Sequence, residues 1–274
     1  MADISMSGGA AKVPEVDFKA PLTFKKTTHK LVEKGSGKGP AVKPSSIVTL
    51  EYVAMNASSG EPYDTNWGNK GKPATFPLSM VVKGLREGLI GTHAGDRVLI
   101  ASSSKDAYDP TGNGSTVHKG DSVVFGAQVD KVENPSKLPA DVPTLTFTKQ
   151  GEPKKFTADT KTAQSVSKLG VYTTIEGHGP KVKKGQAISA HYLGQIYPDG
   201  KVFDSSWSRG EPATFTIGKG QVIPAWDQGL VGQRVGSQVV LVVPSELGYG
   251  KKGHPPAIPA NSDLIFVVNI FGAK

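Results

Sequence analysis

Short apolar runs separated by turn residues dominate the chain, and long stretches of helical periodicity are missing. In the second half, Ala187–Leu193, Val239–Val243 and Leu264–Phe271 are dense in β-branched and aromatic residues and read as strands. One stretch departs from that pattern. Ile223–Leu230 carries Pro224 at the start of a first turn and places Ile223, Trp226 and Leu230 at i, i+3 and i+7. Val82, Leu85 and Leu89 repeat this spacing in the first half. The pattern predicts an α+β arrangement in which a short amphipathic helix packs on an antiparallel sheet.

The two halves match in order. Gly37–Lys43 corresponds to Gly177–Lys183 at a spacing of 140, as do Tyr52 and Tyr192, Tyr63–Asp64 and Phe203–Asp204, and Trp67 and Trp207. Pro73–Phe76 repeats as Pro212–Phe215, and a spacing of 141 then holds from Leu85/Trp226 through Tyr108/Tyr249 to Phe125/Phe266. So long a period exceeds a solenoid repeat, so each copy is expected to be a complete domain. Proline at 135, 139 and 143 marks the join. The expected organisation is a flexible arm over 1–20, a domain over 21–133, a Pro-rich linker over 134–145 and a second domain over 146–274.

Composition narrows the chemistry. Glycine (33) and proline (20) are abundant among 274 residues, against a usual combined share of about 12%, which suits many turns. There is no cysteine, which removes disulfides, thiolate metal sites and thiol nucleophiles. The six histidines show no i, i+4 pair, and no phosphate loop or serine elbow motif occurs. No metal or cofactor is expected. The net charge of +8 comes from dispersed lysine pairs without aromatic interleaving, so nucleic-acid binding is not expected. No apolar run approaches the roughly 18–20 residues of a membrane span. The N-terminus lacks a basic flank followed by an apolar stretch, which reads as cytoplasmic, with the cell envelope as the alternative where an export signal has been removed.

Several segments of the second copy carry a family resemblance: Ala190–Gly194, Asp199–Ser206, Gly220–Trp226, Tyr249–Gly250 and Gly253–Pro259. Over about 182–271 it resembles an FKBP-type peptidyl-prolyl cis-trans isomerase domain, and the tandem form resembles actinobacterial members. The resemblance implies two half-open, bent antiparallel sheets, each wrapped around a short α-helix. It also implies a pocket with Trp226 as floor and Tyr192, Phe203, Val222, Ile223, Ile258 and Phe266 as walls, bordered by His254. Asp204 and Tyr249 would supply polar groups, and Asp204, Tyr249, Trp226 and the Ile223 N–H would carry catalysis. Ala213 and Ala257 stand where larger side chains are common, implying a wider pocket with weaker macrolide affinity.

Rotation about an X–Pro bond faces a barrier of about 18–20 kcal/mol and breaks no covalent bond, so a dry pocket with a few donors suffices. The implied protein is a monomeric folding helper acting on proline-containing clients and open to tacrolimus or rapamycin. The alternative is a non-catalytic tandem chaperone that recognises proline-containing segments. In the first copy Leu85 replaces the tryptophan, Gly112–His118 lacks the three prolines of Gly253–Pro259, and the segment from Phe76 to Val81 is shorter. That copy is expected to keep the fold and to have weak or no activity.

Overall fold

The computed structural model describes residues 4–8, 13–68, 73–163 and 165–274. They form two compact units, the first running to Asn134 and the second starting at Pro135, with Lys149–Gly151 grouped with the first. Among the described residues no helix is long and apolar enough to cross a membrane.

The first unit opens with a hairpin, β1 (Ile4–Ser7) and β2 (Glu15–Phe18), followed by β3 (Thr28–Glu33), β4 (Ile47–Asn56), β5 (Pro62–Thr65) and β6 (Ala74–Pro77). After α1 (Lys83–Leu89) come β7 (Arg97–Ser102) and β8 (Val123–Glu133). The antiparallel sheet has the order β3-β7-β8-β4-β5, with β6 on the same side of β4 as β5. Ten residues long, β4 pairs its first half with β6 and its second with β5. One face of the sheet, through Leu50, Val98, Ile100 and Phe125, packs against Leu85 and Leu89 of α1.

The second unit repeats this plan with β9 (Thr144–Phe147), β10 (Pro153–Thr157), β11 (Gly170–Ile175), β12 (Ala187–Ile196), β13 (Val202–Ser205) and β14 (Ala213–Thr216). Then come α2 (Pro224–Leu230), β15 (Gln238–Val243) and β16 (Leu264–Ala273). The order is β11-β15-β16-β12-β13, with β14 on β12. Alternation along β15 sends Val239, Leu241 and Val243 to the helix side and Val240 and Val242 to the other.

Among the described residues, those within 1–20 and 134–145 include packed strands and core side chains. In β1, Ile4 and Met6 are buried while Ser5 and Ser7 are exposed, a period of two that presses the hairpin onto Val53, Leu99 and Val124 on the outer sheet face. A Cβ on Gly126 of β8 would lie 2.9 Å from Val16 and 3.2 Å from the Met6 sulfur, so the close approach needs a glycine there. Val142, within the expected linker, is buried with Phe156 on the outer face of the second sheet. Phe156 is held by both ends of the Gln195 amide: its N–H donates to Oε1 at 2.7 Å and its carbonyl accepts from Nε2 at 2.9 Å. Since β9 lies 140 positions beyond β1, the duplicated unit includes a leading hairpin.

Candidate functional site

The sequence of α2, Pro-Ala-Trp-Asp-Gln-Gly-Leu, starts with a proline whose fixed φ suits a first helical turn, and Ile223 is its N-cap. The helix aims Trp226, 4% exposed, into the concave side of the sheet. Around the indole stand Phe215 at 4.9 Å, Tyr192 at 5.4 Å and Phe266 at 5.6 Å between ring centroids, all edge to face. Phe203 meets Phe266 at 5.7 Å in the same way. Such pairs contribute about 0.5–1.5 kcal/mol each beyond burial and hold the rings in fixed orientations. A Cβ on Gly194 of β12 would lie 2.6–2.7 Å from these last two rings, so only glycine lets them meet.

The rings enclose a cavity of about 230 Å3, lined by Tyr192, Phe203, Asp204, Phe215, Gln221, Val222, Ile223, Trp226, Tyr249 and Phe266. Eight of the ten predicted site residues meet here. Ile258 and His254 stand next to these residues: Ile258 lies in the same core cluster as Trp226 and Phe266, and His254 stacks on Tyr249 at 5.4 Å. These two residues bond to each other through both backbone N–H groups, at 2.8 and 3.0 Å, which fixes the rim loop. Phe215 and Gln221 were missed. The alternation of β14 carries a signal for Phe215, since it lies two positions beyond Ala213 and so on the same face.

Asp227 was missed as well. From α2 its carboxylate accepts the N–H of Gly218 at 2.6 Å and of Gly220 at 2.7 Å, tying down the turn that leads into Gln221, Val222 and Ile223. Both glycines have positive φ, +81° and +69°, which the turn requires.

One polar wall surrounds Asp204. Tyr192 donates its hydroxyl to one carboxylate oxygen, Arg209 donates to the other at 2.5 Å, and Arg209 also donates to the Tyr192 hydroxyl at 2.9 Å. Burial is the largest influence on Asp204 and pushes its carboxyl up, but the bonds from Tyr192 and Arg209 together outweigh it and hold the group below the ordinary carboxylate range. Burial, and next the bond to Asp204, push the Tyr192 phenol up to about 12. Tyr249 is raised by burial and then by the Asp204 charge, so its hydroxyl is a donor at neutral pH. Among the described residues that hydroxyl has no hydrogen-bond partner, and neither has the Ile223 N–H.

The first unit keeps part of this arrangement. Tyr52 donates to Asp64 at 2.6 Å, and Tyr52 meets Phe76 at 6.3 Å. Leu85, however, stands at the tryptophan position, and the hydroxyl of Tyr63, where the second unit has Phe203, donates to the Tyr108 hydroxyl at 3.5 Å. Arg86 takes the place of Asp227, so the carboxylate that ties the turn is missing.

A family model described as FKBP-type peptidyl-prolyl cis-trans isomerase matches residues 39–130 and 179–271. The chain belongs to this family, with two copies of its domain. FKBP15-1 of Arabidopsis thaliana, named a peptidyl-prolyl cis-trans isomerase, is 55% identical over 83 residues, 30% of this chain and 54% of its own length. The chain thus spans about half the length of that relative. FK506-binding protein 2 of Kluyveromyces lactis is 44% identical over 106 residues, 38% of this chain and 76% of its own. An FK506-binding protein of Streptomyces anulatus is 42% identical over 103 residues, 37% of this chain and 83% of its own. The crystal structure of AtFKBP13 aligns at 40% identity over 40% of this chain and 96% of that one, with a TM-score of 0.37.

Proposed function

We propose that the protein accelerates cis-trans rotation about X–Pro bonds in protein clients, and that the second unit carries this activity. The observation that carries the reading is the Trp226 floor within a closed set of aromatic edges, next to two unpartnered donors, the Tyr249 hydroxyl and the Ile223 N–H. The proline ring stacks over the indole, out of water. A twisted amide has lost its resonance and is less charge-separated than the planar form, so a water-poor apolar site favours it relative to the ground state. The two donors bind carbonyls flanking the proline and hold the chain in a turn. Removing about 5–7 kcal/mol of barrier by these means corresponds to roughly 10⁴–10⁵-fold acceleration.

Asp204 acts mainly by positioning. With Arg209 it clamps the Tyr192 ring, whose edge forms one side of the pocket. Macrolides such as tacrolimus and rapamycin, which the family binds, would occupy the same cavity. The small Ala213 leaves Phe215 to close the side next to Trp226.

The test is a protease-free isomerisation assay on a proline peptide. Trp226→Leu, which installs the side chain of the first copy, lowers turnover by at least about a hundredfold, and Tyr249→Phe lowers it by about tenfold with an unchanged fold. Full activity in both variants overturns the assignment.

A further inference from the structure

The second unit holds another cavity, on the sheet face away from α2. Its volume is about 410 Å3, against about 230 Å3 for the aromatic pocket. Leu138, Leu145 and Phe147 supply apolar walls, Lys137 stands at its edge, and Thr174 and Gln238 form a polar floor. Gln238 is 3% exposed. Its Oε1 accepts from the Thr174 hydroxyl at 2.8 Å, while its amide nitrogen has no hydrogen-bond partner among the described residues. Gln238 is largely buried, yet its unspent amide donors stay accessible where the residue lines the cavity, free to bond a ligand there.

The duplication explains the space. Gln238 of β15 pairs with Asn269 as Arg97 of β7 pairs with Gln128. In the first unit the longer Arg97 side chain spans to the leading hairpin, donating to the carbonyl oxygens of Gly8 and Ser7, and to Glu33 at 3.2 Å. Glutamine at the same place ends short of the β9–β10 hairpin and leaves room beneath it.

We propose that this cavity is a second binding site, separate from the proline pocket, for a small amphipathic anion: an apolar body with a terminal carboxylate or sulfonate. The body packs against Leu138, Leu145 and Phe147, and the anionic oxygens accept from the Gln238 amide beside the Lys137 ammonium. The site does not depend on isomerase activity.

Anilinonaphthalene sulfonate, an aromatic body with one anionic group, is the probe. It is titrated into the full chain and followed by amide NMR shifts and by its own fluorescence. The expected result is a saturable shift at Leu145, Phe147, Thr174 and Gln238. Gln238→Leu, which removes the donor, weakens binding by at least about tenfold. Leu145→Trp, a substitution on the hairpin that fills the space, abolishes it. Folding of both variants is checked from the unchanged shifts of the aromatic pocket. Shifts confined to Tyr192, Trp226 and Tyr249, an absence of saturable binding, or equal affinity in both variants overturns the proposal.

Discussion

Tyr108 and Tyr249 hold corresponding positions, yet only the Tyr108 hydroxyl is engaged by a neighbour, as an acceptor at 3.5 Å. The difference is a neighbour: Tyr63 donates to Tyr108, whereas Phe203 has nothing to donate to Tyr249. His191 shows a related effect on a titratable group. It is buried between Trp207, stacked at 5.2 Å, and Phe271, and its Nδ1 lies 2.8 Å from the Ser206 hydroxyl. Burial, and then the Arg209 charge, lower its pKa from the ordinary value. The unfolded chain therefore binds a proton at higher pH than the folded one. The His191 contribution to the stability of the second unit is fully present above about 6.5, falls as the pH drops through that value, and stops falling below the folded-state pKa. Urea unfolding against pH checks this, and His191→Gln is expected to flatten the slope between neutral and mildly acidic pH. At this scale Trp226, Tyr249 and Asp204 were legible because their residue types and order match a family pattern. Phe215 was overlooked because the matched position holds Ala213, and the ring two residues on performs the packing.

The turn entering α2 is tied down from outside itself, by the Asp227 carboxylate on the helix. Hydrogen bonds to charged groups contribute about 1.5–3 kcal/mol, so Asp227→Ala is expected to lower stability by about 1–3 kcal/mol. It also loosens Val222 and the Ile223 N–H, lowering isomerase turnover by about tenfold, since donor placement matters in steps of an ångström. Asp227→Asn, which keeps one acceptor, retains more activity than the alanine variant; equal loss in the two contradicts the staple. The hairpins make a second case. Deleting residues 1–18 uncovers Val53, Leu99 and Val124, so unfolding of the first unit is expected to shift by about 2–5 kcal/mol, set by loss of buried Ile4, Met6 and Val16. Hydrogen exchange at β7 and β8 reports it, and unchanged protection refutes it. Helix α2 was readable because proline, apolar spacing and tryptophan coincide within a few residues. Strands of four residues such as β1 and β9 carry too short a pattern to stand apart from loop.

Each unit has its own core between sheet and helix, and the two differ in what the core leaves open. Residues 135–274 expressed alone are expected to retain most of the isomerase turnover of the full chain, and residues 1–134 less than about a hundredth of it. The same peptide assay checks both halves. Equal turnover overturns the division of labour, and activity in neither half favours the reading of the chain as a tandem binder of proline-containing segments.

The amino-acid sequence by itself determined the duplication, the α+β class, the family and most of the aromatic residues around the pocket. Those properties are written in residue identity and spacing, which survive without coordinates. Tertiary structure decided which polar groups meet a partner among the described residues: Tyr63 reaches the Tyr108 hydroxyl whereas nothing reaches that of Tyr249, and the Arg97 guanidinium reaches the carbonyls of Ser7 and Gly8 whereas Gln238 bonds only Thr174 through its side chain. It also decided that the leading segments include hairpins over the outer sheet faces. The physical reason is the same throughout. Burial and hydrogen-bond satisfaction depend on groups far apart in the chain, and only the folded arrangement brings donor, acceptor and apolar surface together.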